Sequence, residues 1–250
     1  MDRRRFVKAC VATAGAATLG ASGLSLAMGS VQPRPAPAAV VSYYGAHKVD
    51  GPALRGVPYV PITVRDGVFV GKPELGGESI LRWYAYCGHG RAPGLQPGFT
   101  DDDRLYCHVA EEKLRTLTPW YADLLGKPLR PGDFPDVGFG APFVWRSQGQ
   151  SGANLLTGLL VRVGETRAPV APRPPGRALA QEEVDFVRRE VFHGEFVAVS
   201  TFCTHFCCLP GWREDPEARR RGAWESAYCP CHGSAYRPEE PVRYAFAPDA

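Results

Sequence analysis

The longest uniform feature in the hydropathy pattern of this 250-residue chain is residues 9–32, which carry no charge. As a helix rising about 1.5 Å per residue, that run would extend about 36 Å, enough to cross a hydrocarbon core of about 30 Å. It is read as one N-terminal transmembrane helix, only mildly apolar because seven Ala and four Gly stand against three Leu. Prolines 33, 35 and 37 then mark residues 33–43 as an extended hinge linker. From residue 44 the pattern changes to short β-prone runs, several with alternating apolar positions, separated by Gly and Pro. It predicts strands over 62–70, 81–86, 155–163 and 196–201. Helical spacing is expected over 110–117 and 181–190, and the Pro-rich stretch 168–176 reads as a surface loop. The fold class is therefore an all-β head of roughly 200 residues behind a single span, without an internal repeat.

Charge adds an address. Arg3-Arg4-Arg5-Phe6-Val7-Lys8 before the uncharged run reads as a twin-arginine export signal, with residues 1–8 on the cytoplasmic side. Positive charge there retains the amino terminus inside and puts the head outside the cytoplasm. The formal net charge of +3 is accounted for by this signal, whose four basic residues outnumber Asp2 by three. No basic stripe with interleaved aromatics is present, so no nucleic-acid partner is expected, and Arg219-Arg220-Arg221 reads as a solvated turn. Ser25-Leu26-Ala27 offers a possible cleavage site.

The chemistry concentrates near the end of the chain, in Cys203-Thr204-His205-Phe206-Cys207-Cys208-Leu209-Pro210 and Cys229-Pro230-Cys231-His232-Gly233-Ser234-Ala235-Tyr236. Two Cys-plus-His pairs on two separate loops are the ligand set of a cluster in which two thiolates hold one iron and two imidazoles the other. Neutral imidazoles make such a cluster less negative than four thiolates would, and its potential rises to between about −150 and +300 mV. Cys208 and Cys231 are placed to bridge the two loops, although spacing alone does not establish a bond. Cys and His at short spacing also suit a tetrahedral zinc ion, but zinc motifs rarely add that flanking pair together with Gly233, Ser234 and Tyr236.

These two segments, about the last fifth of the chain, resemble the Rieske iron–sulfur subunit of cytochrome bc-type quinol oxidoreductases of archaeal or bacterial type. The resemblance implies one 2Fe–2S cluster of Rieske type in a part spanning about residues 200–240 of the 44–250 head. Its ligands would be Cys203, His205, Cys229 and His232, and Cys208 would be bridged to Cys231. It further implies that Ser234 donates to a bridging sulfide and Tyr236 to the sulfur of Cys203, bonds that stabilise the reduced cluster. His205 and His232 then act as the reactive groups, because the acidity of each outward N–H depends on the state of the iron. The expected activity is uptake of an electron and a proton from quinol, with the electron passed to a c-type cytochrome or equivalent. Cytochrome b and the membrane would be partners, and the subunit would not be catalytic alone. The family keeps its signal as an anchor, so residues 9–32 are expected to remain. The alternative is a standalone Rieske redox protein of a respiratory complex without quinol chemistry.

Several residues lie outside the matched pattern. Cys207 stands where many relatives have glycine and reads as a small packed residue, in a Cys-Cys pair similar to that of archaeal-type members. Cys87-Gly88-His89 and Cys107-His108 look like a second set of ligands, with a Cys87–Cys107 disulfide as the competing reading. Residues 209–228 between the loops are longer and more charged than in the mitochondrial form. The Gly-Pro-Ala-Pro type loop that usually covers the cluster is absent after Ser234, with Pro238 and Pro241 as a shorter substitute. Trp212 is close enough to the first loop to shield it, and Trp83, Tyr84, Tyr86, Trp120 and Trp145 read as core or rim aromatics.

Overall fold

The computed structural model describes residues 40–87, 93–95, 102–109, 119–147, 150, 154–164, 171–212, 220 and 226–248. The expected export signal and transmembrane helix, most of the linker, the 110–117 helix and His89 lie outside them. Among the described residues there are twelve strands and one α-helix, so the head is all-β as expected. None of their helices is long and apolar enough to cross a membrane.

In chain order the strands are β1 Val41–Asp50, β2 Ile62–Arg65, β3 Val68–Gly71, β4 Glu74–Leu75, β5 Glu78–Ser79, β6 Tyr106–Cys107, β7 Gly140–Trp145, β8 Leu156–Arg162, β9 Phe196–Ser200, β10 Gly211–Trp212, β11 Ala227–Tyr228 and β12 Ala235–Phe246. The helix α1 spans Gln181–Glu190. Two antiparallel four-stranded sheets carry the fold, ordered β1-β12-β11-β10 and β6-β7-β8-β9, with two small hairpins, β2-β3 and β4-β5. Aromatic packing fills the core: Trp145 is fully buried, sets its indole over Gly71, and meets the ring of Tyr84 edge-on.

Hydropathy placed β8, β9 and α1 well. The expected strand 62–70 is instead the β2-β3 hairpin, turned at Asp66 and Gly67, both at positive φ, as an Asp-Gly turn requires. The expected strand 81–86 is a 3₁₀ turn, Leu81–Tyr84. Its apolar residues Ile80, Trp83 and Tyr84 recur at helical spacing and are all buried. β1 begins at Val41, three residues before the point where the head was expected to start.

β1 and β12 form the longest pairing, from Val41 opposite Phe246 to Asp50 opposite Ala235. Its register slips between Ala46 and His47, where Pro238, Glu239 and Glu240 bulge out of β12. Pro238 and Pro241 therefore belong to this strand and do not form the cover expected of them. Both bulged glutamates are buried, and Glu240 is held by His47 Nδ1 at 2.6 Å and by Arg237 Nη1 at 3.0 Å.

The start of α1 is fastened to this sheet by Glu183. Its carboxylate accepts bonds from Arg177 at 2.7 and 2.9 Å, from Arg243 of β12 at 3.1 Å and from the Ala180 N–H at 3.1 Å. The Arg177 bond dominates in holding the carboxyl down at about 2, against 4.5 when unpaired. A depressed carboxyl stabilises the fold fully above its unfolded value and ceases to do so as pH falls through its folded one. The site is solvent-accessible, so screening limits its worth to under about 1 kcal/mol. Glu183→Gln is therefore expected to lower urea stability slightly at pH 7, with the gap to wild type closing between pH 4.5 and 2. A gap independent of pH over that range would refute the ion-pair account.

Candidate metal centre

Strand β9 is buried along its whole length and delivers the chain into Cys203, while the second loop is the connection from β11 to β12. The loops share one backbone scheme. In the first, Cys203 N–H donates to Cys208 C=O at 2.9 Å and Cys207 N–H to Cys203 C=O at 3.0 Å. In the second, Cys229 N–H donates to Ser234 C=O at 2.8 Å and Gly233 N–H to Cys229 C=O at 2.9 Å. Each loop thus closes on itself and satisfies its own backbone close to the buried sheet edge.

This scheme brings the expected residues together. Cys203 and Cys229 carry free thiols and are buried, at 1% and 0% exposure, in an apolar cluster with Trp212 and Tyr236. The imidazoles of His205 and His232 lie 4.7 Å apart between centroids, edge to face, with His232 exposed. The centre is polarised, with sulfur inside and imidazole at the rim. Cys208 and Cys231 are joined by a disulfide, and their sulfurs lie within 4.8 Å of Cys229 Sγ. Being bonded to each other, they leave Cys229 as the available thiolate donor of that trio.

Electrostatics favours thiolate at Cys203. The bond shared with Cys229 does most to draw its thiol below the ordinary range, against the cost of burial. The Tyr236 hydroxyl, 3.0 Å away, and the backbone N–H groups of His205 and Phe206 add to it. Cys229 is pushed up as the partner in that bond. Tyr236 is kept protonated by burial and by Cys203, so its hydroxyl is the donor. Ser234 Oγ, fully buried, accepts the Ala53 N–H at 3.1 Å.

The donor set fits an iron–sulfur cluster at one further atom. His205 Nδ1 is buried with no hydrogen-bond partner, a costly state for an imidazole nitrogen unless its lone pair is given to something else, such as a metal.

Sequence reasoning missed two contributions. Residues 50–56, far from the motif in sequence, lie against both loops: Gly51 touches Ser234, Ala53 bonds Ser234, and Thr204 Oγ1 donates to Arg55 C=O. This Gly51-Pro52-Ala53 segment stands at the second loop, where Pro238 and Pro241 do not. The second is Cys87, which is bonded to Cys207 and not to Cys107. Cys107 is instead a buried thiol of β6, pushed up to about 12 by burial. With Cys87 in a disulfide, a second ligand set of Cys87, Cys107 and His108 does not form, and Cys207 is no passive packed residue. Trp212, which was expected to shield the first loop, is buried beside Cys203 and donates its indole N–H to Gly138 C=O at 2.9 Å.

The all-β head and the two Cys-plus-His loops are consistent with the Rieske-type resemblance read from the sequence. Comparison with known proteins agrees as far as it reaches: 71 residues are 34% identical to the ubiquinol-cytochrome c reductase iron-sulfur subunit of Blastochloris viridis, covering 28% of this chain and 36% of that protein. The match thus spans little more than a third of the length of the curated relative. No family model matches the chain, and no solved structure matches it.

Proposed function

We propose that this chain is a Rieske electron-transfer subunit that takes an electron and a proton from quinol and passes the electron to a c-type cytochrome or equivalent acceptor. The observation that carries the reading is the polarised centre, with both free thiols buried and an imidazole exposed at the rim. Cys203, His205, Cys229 and His232 would hold one 2Fe–2S cluster, which supplies a one-electron acceptor of raised potential. Tyr236 donates to Cys203, which favours the more negative, reduced state. The rim imidazoles hold the proton: a nitrogen turned to solvent accepts a hydrogen bond from a quinol hydroxyl and takes its proton as the electron moves inward.

Phe206, at 67% exposure, packs edge-on to His205 and lies near His232, and Leu54 and Leu209 are also exposed. An exposed apolar ring against both imidazoles suits a docking face for a membrane partner that carries the quinol pocket, in this reading cytochrome b. Anchoring by residues 9–32, a hinge at 33–43 and an extracytoplasmic head complete the proposal. The two disulfides support the last point, since such bonds persist on the oxidising side of a membrane.

The test is electron paramagnetic resonance of the purified protein after ascorbate and then dithionite. A rhombic two-iron signal with ascorbate is the expected result. A signal with dithionite alone would move the protein to a low-potential ferredoxin role, and silence under both would favour zinc. Co-purification with a b-type cytochrome separates the quinol-oxidising subunit from a standalone redox protein.

A further inference from the structure

The two loops share one hydrogen-bond scheme but solve its one awkward position differently. In the second loop that position is Gly233, at φ +76°; in the first it is Cys207, at φ +60°. Glycine adopts the left-handed region freely, whereas a side chain there must be held by its surroundings. Cys207 is held by a bond to Cys87, with Cα atoms 5.5 Å apart and a sequence separation of 120. The next residue, Cys208, is bonded to Cys231 of the second loop. Consecutive residues of the first loop are thus fastened in two directions, one to the second loop and one to the segment behind it.

That segment also supports the backbone around Cys203. Tyr86, buried, donates its hydroxyl to Phe202 C=O at 3.0 Å, and Cys87 Sγ lies 3.7 Å from Cys203 C=O. Between Cys203 and Cys207 lie His205 and Phe206, whose backbone N–H groups favour the Cys203 thiolate, in a turn that the Cys207 N–H closes on Cys203 C=O at 3.0 Å. Their aim depends on the turn that Cys207 completes.

We propose that Cys87 and Cys207 are positioning residues of the metal centre: their disulfide holds the first loop in the turn that aims the His205 and Phe206 N–H groups at Cys203. The inference rests on the iron–sulfur reading. N–H donors to a ligand sulfur stabilise the reduced cluster, so loosening the turn lowers its affinity for the electron.

The test compares the full-length wild type with C87A/C207A and C87A/C207G, each isolated with its iron, by disulfide mapping, midpoint potential and paramagnetic resonance. The alanine pair is expected to bind the electron three- to tenfold less tightly, about 30 to 60 mV for one electron, with shifted g-values. The glycine pair is expected to recover at least half of that shift, because glycine takes the turn without the bond. Iron loading by the glycine pair but not by the alanine pair would support the same conclusion. Wild-type potential and spectrum in the alanine pair would overturn the positioning role. So would a map that joins Cys87 to Cys107, or equal shifts in both variants. A wild type that isolates without iron would fail the redox reading itself, and the proposal with it.

Discussion

His232→Ala is expected to abolish the rhombic two-iron signal and the bound iron and sulfide while leaving the β head folded. His232 is exposed and its ring touches only those of His205 and Phe206 among the contacts described. Its removal opens no cavity and strands no buried group in the protein itself, so stability should differ by about 0.5 kcal/mol or less from that of wild type stripped of its iron, the lost cluster lowering both alike. A centre reduced to three protein donors, with the missing one at its solvent-facing side, is open to water and loses its metal. The outcome to measure is the iron and sulfide content beside a thermal melt. Unchanged content would remove His232 from the ligand set, and lost content with a melt matching that of iron-stripped wild type would separate a ligand from a structural residue.

Gly51→Ala is expected to give the opposite combination, a clear loss of stability together with a disturbed centre. A β-carbon at Gly51 would lie 2.4 Å from Ser234 Cα and 2.6 Å from Gly233 C=O, and the residue sits at φ +82°. Both obstacles are backbone, so no rotamer change relieves them. The left-handed penalty of about 1–2 kcal/mol adds to about 1–3 kcal/mol for overpacking, together about 2–5 kcal/mol. For a head of this size the melting temperature should fall by roughly 4 to 20 °C. The second loop moves with it, so the resonance spectrum should shift as well. A stable variant with an unaltered spectrum would show that residues 50–56 do not bear on the cluster.

How far the sequence revealed this arrangement depends on the range over which each part is determined. The cluster loops were legible because their chemistry is local: Cys203 with His205 and Cys229 with His232 lie within a few residues of each other. α1 was legible for the same reason, with Val184 and Val187 on one buried face and acidic residues in its first turn. The longest strand pair was not. β1 contains His47, Lys48 and Asp50, and β12 contains Arg237 and, between Pro238 and Pro241, Glu239 and Glu240, so apolar alternation is confined to their far ends, at Val41–Tyr43 and Val242–Phe246. His47 and Glu240 are paired across the bulge, which no single-strand pattern records. The Asp66-Gly67 turn was written plainly but lay between two short β-prone runs, 62–64 and 68–70, that were read as one strand. The partner of Cys87 lies 120 residues away, and disulfide connectivity is set by the assembled fold.

The pairing of β1 with β12 fixes where a force applied to the head would act. β1 runs from Val41, beside Phe246 at one end of its sheet, to Asp50, beside the second cluster loop at the other. At about 3.3 Å per residue, its ten residues put Val41 about 30 Å from Asp50, the end that adjoins the second cluster loop. In the hinged arrangement proposed above, the strand would serve as a lever arm, with its pivot near Val41 and its working end at the second cluster loop.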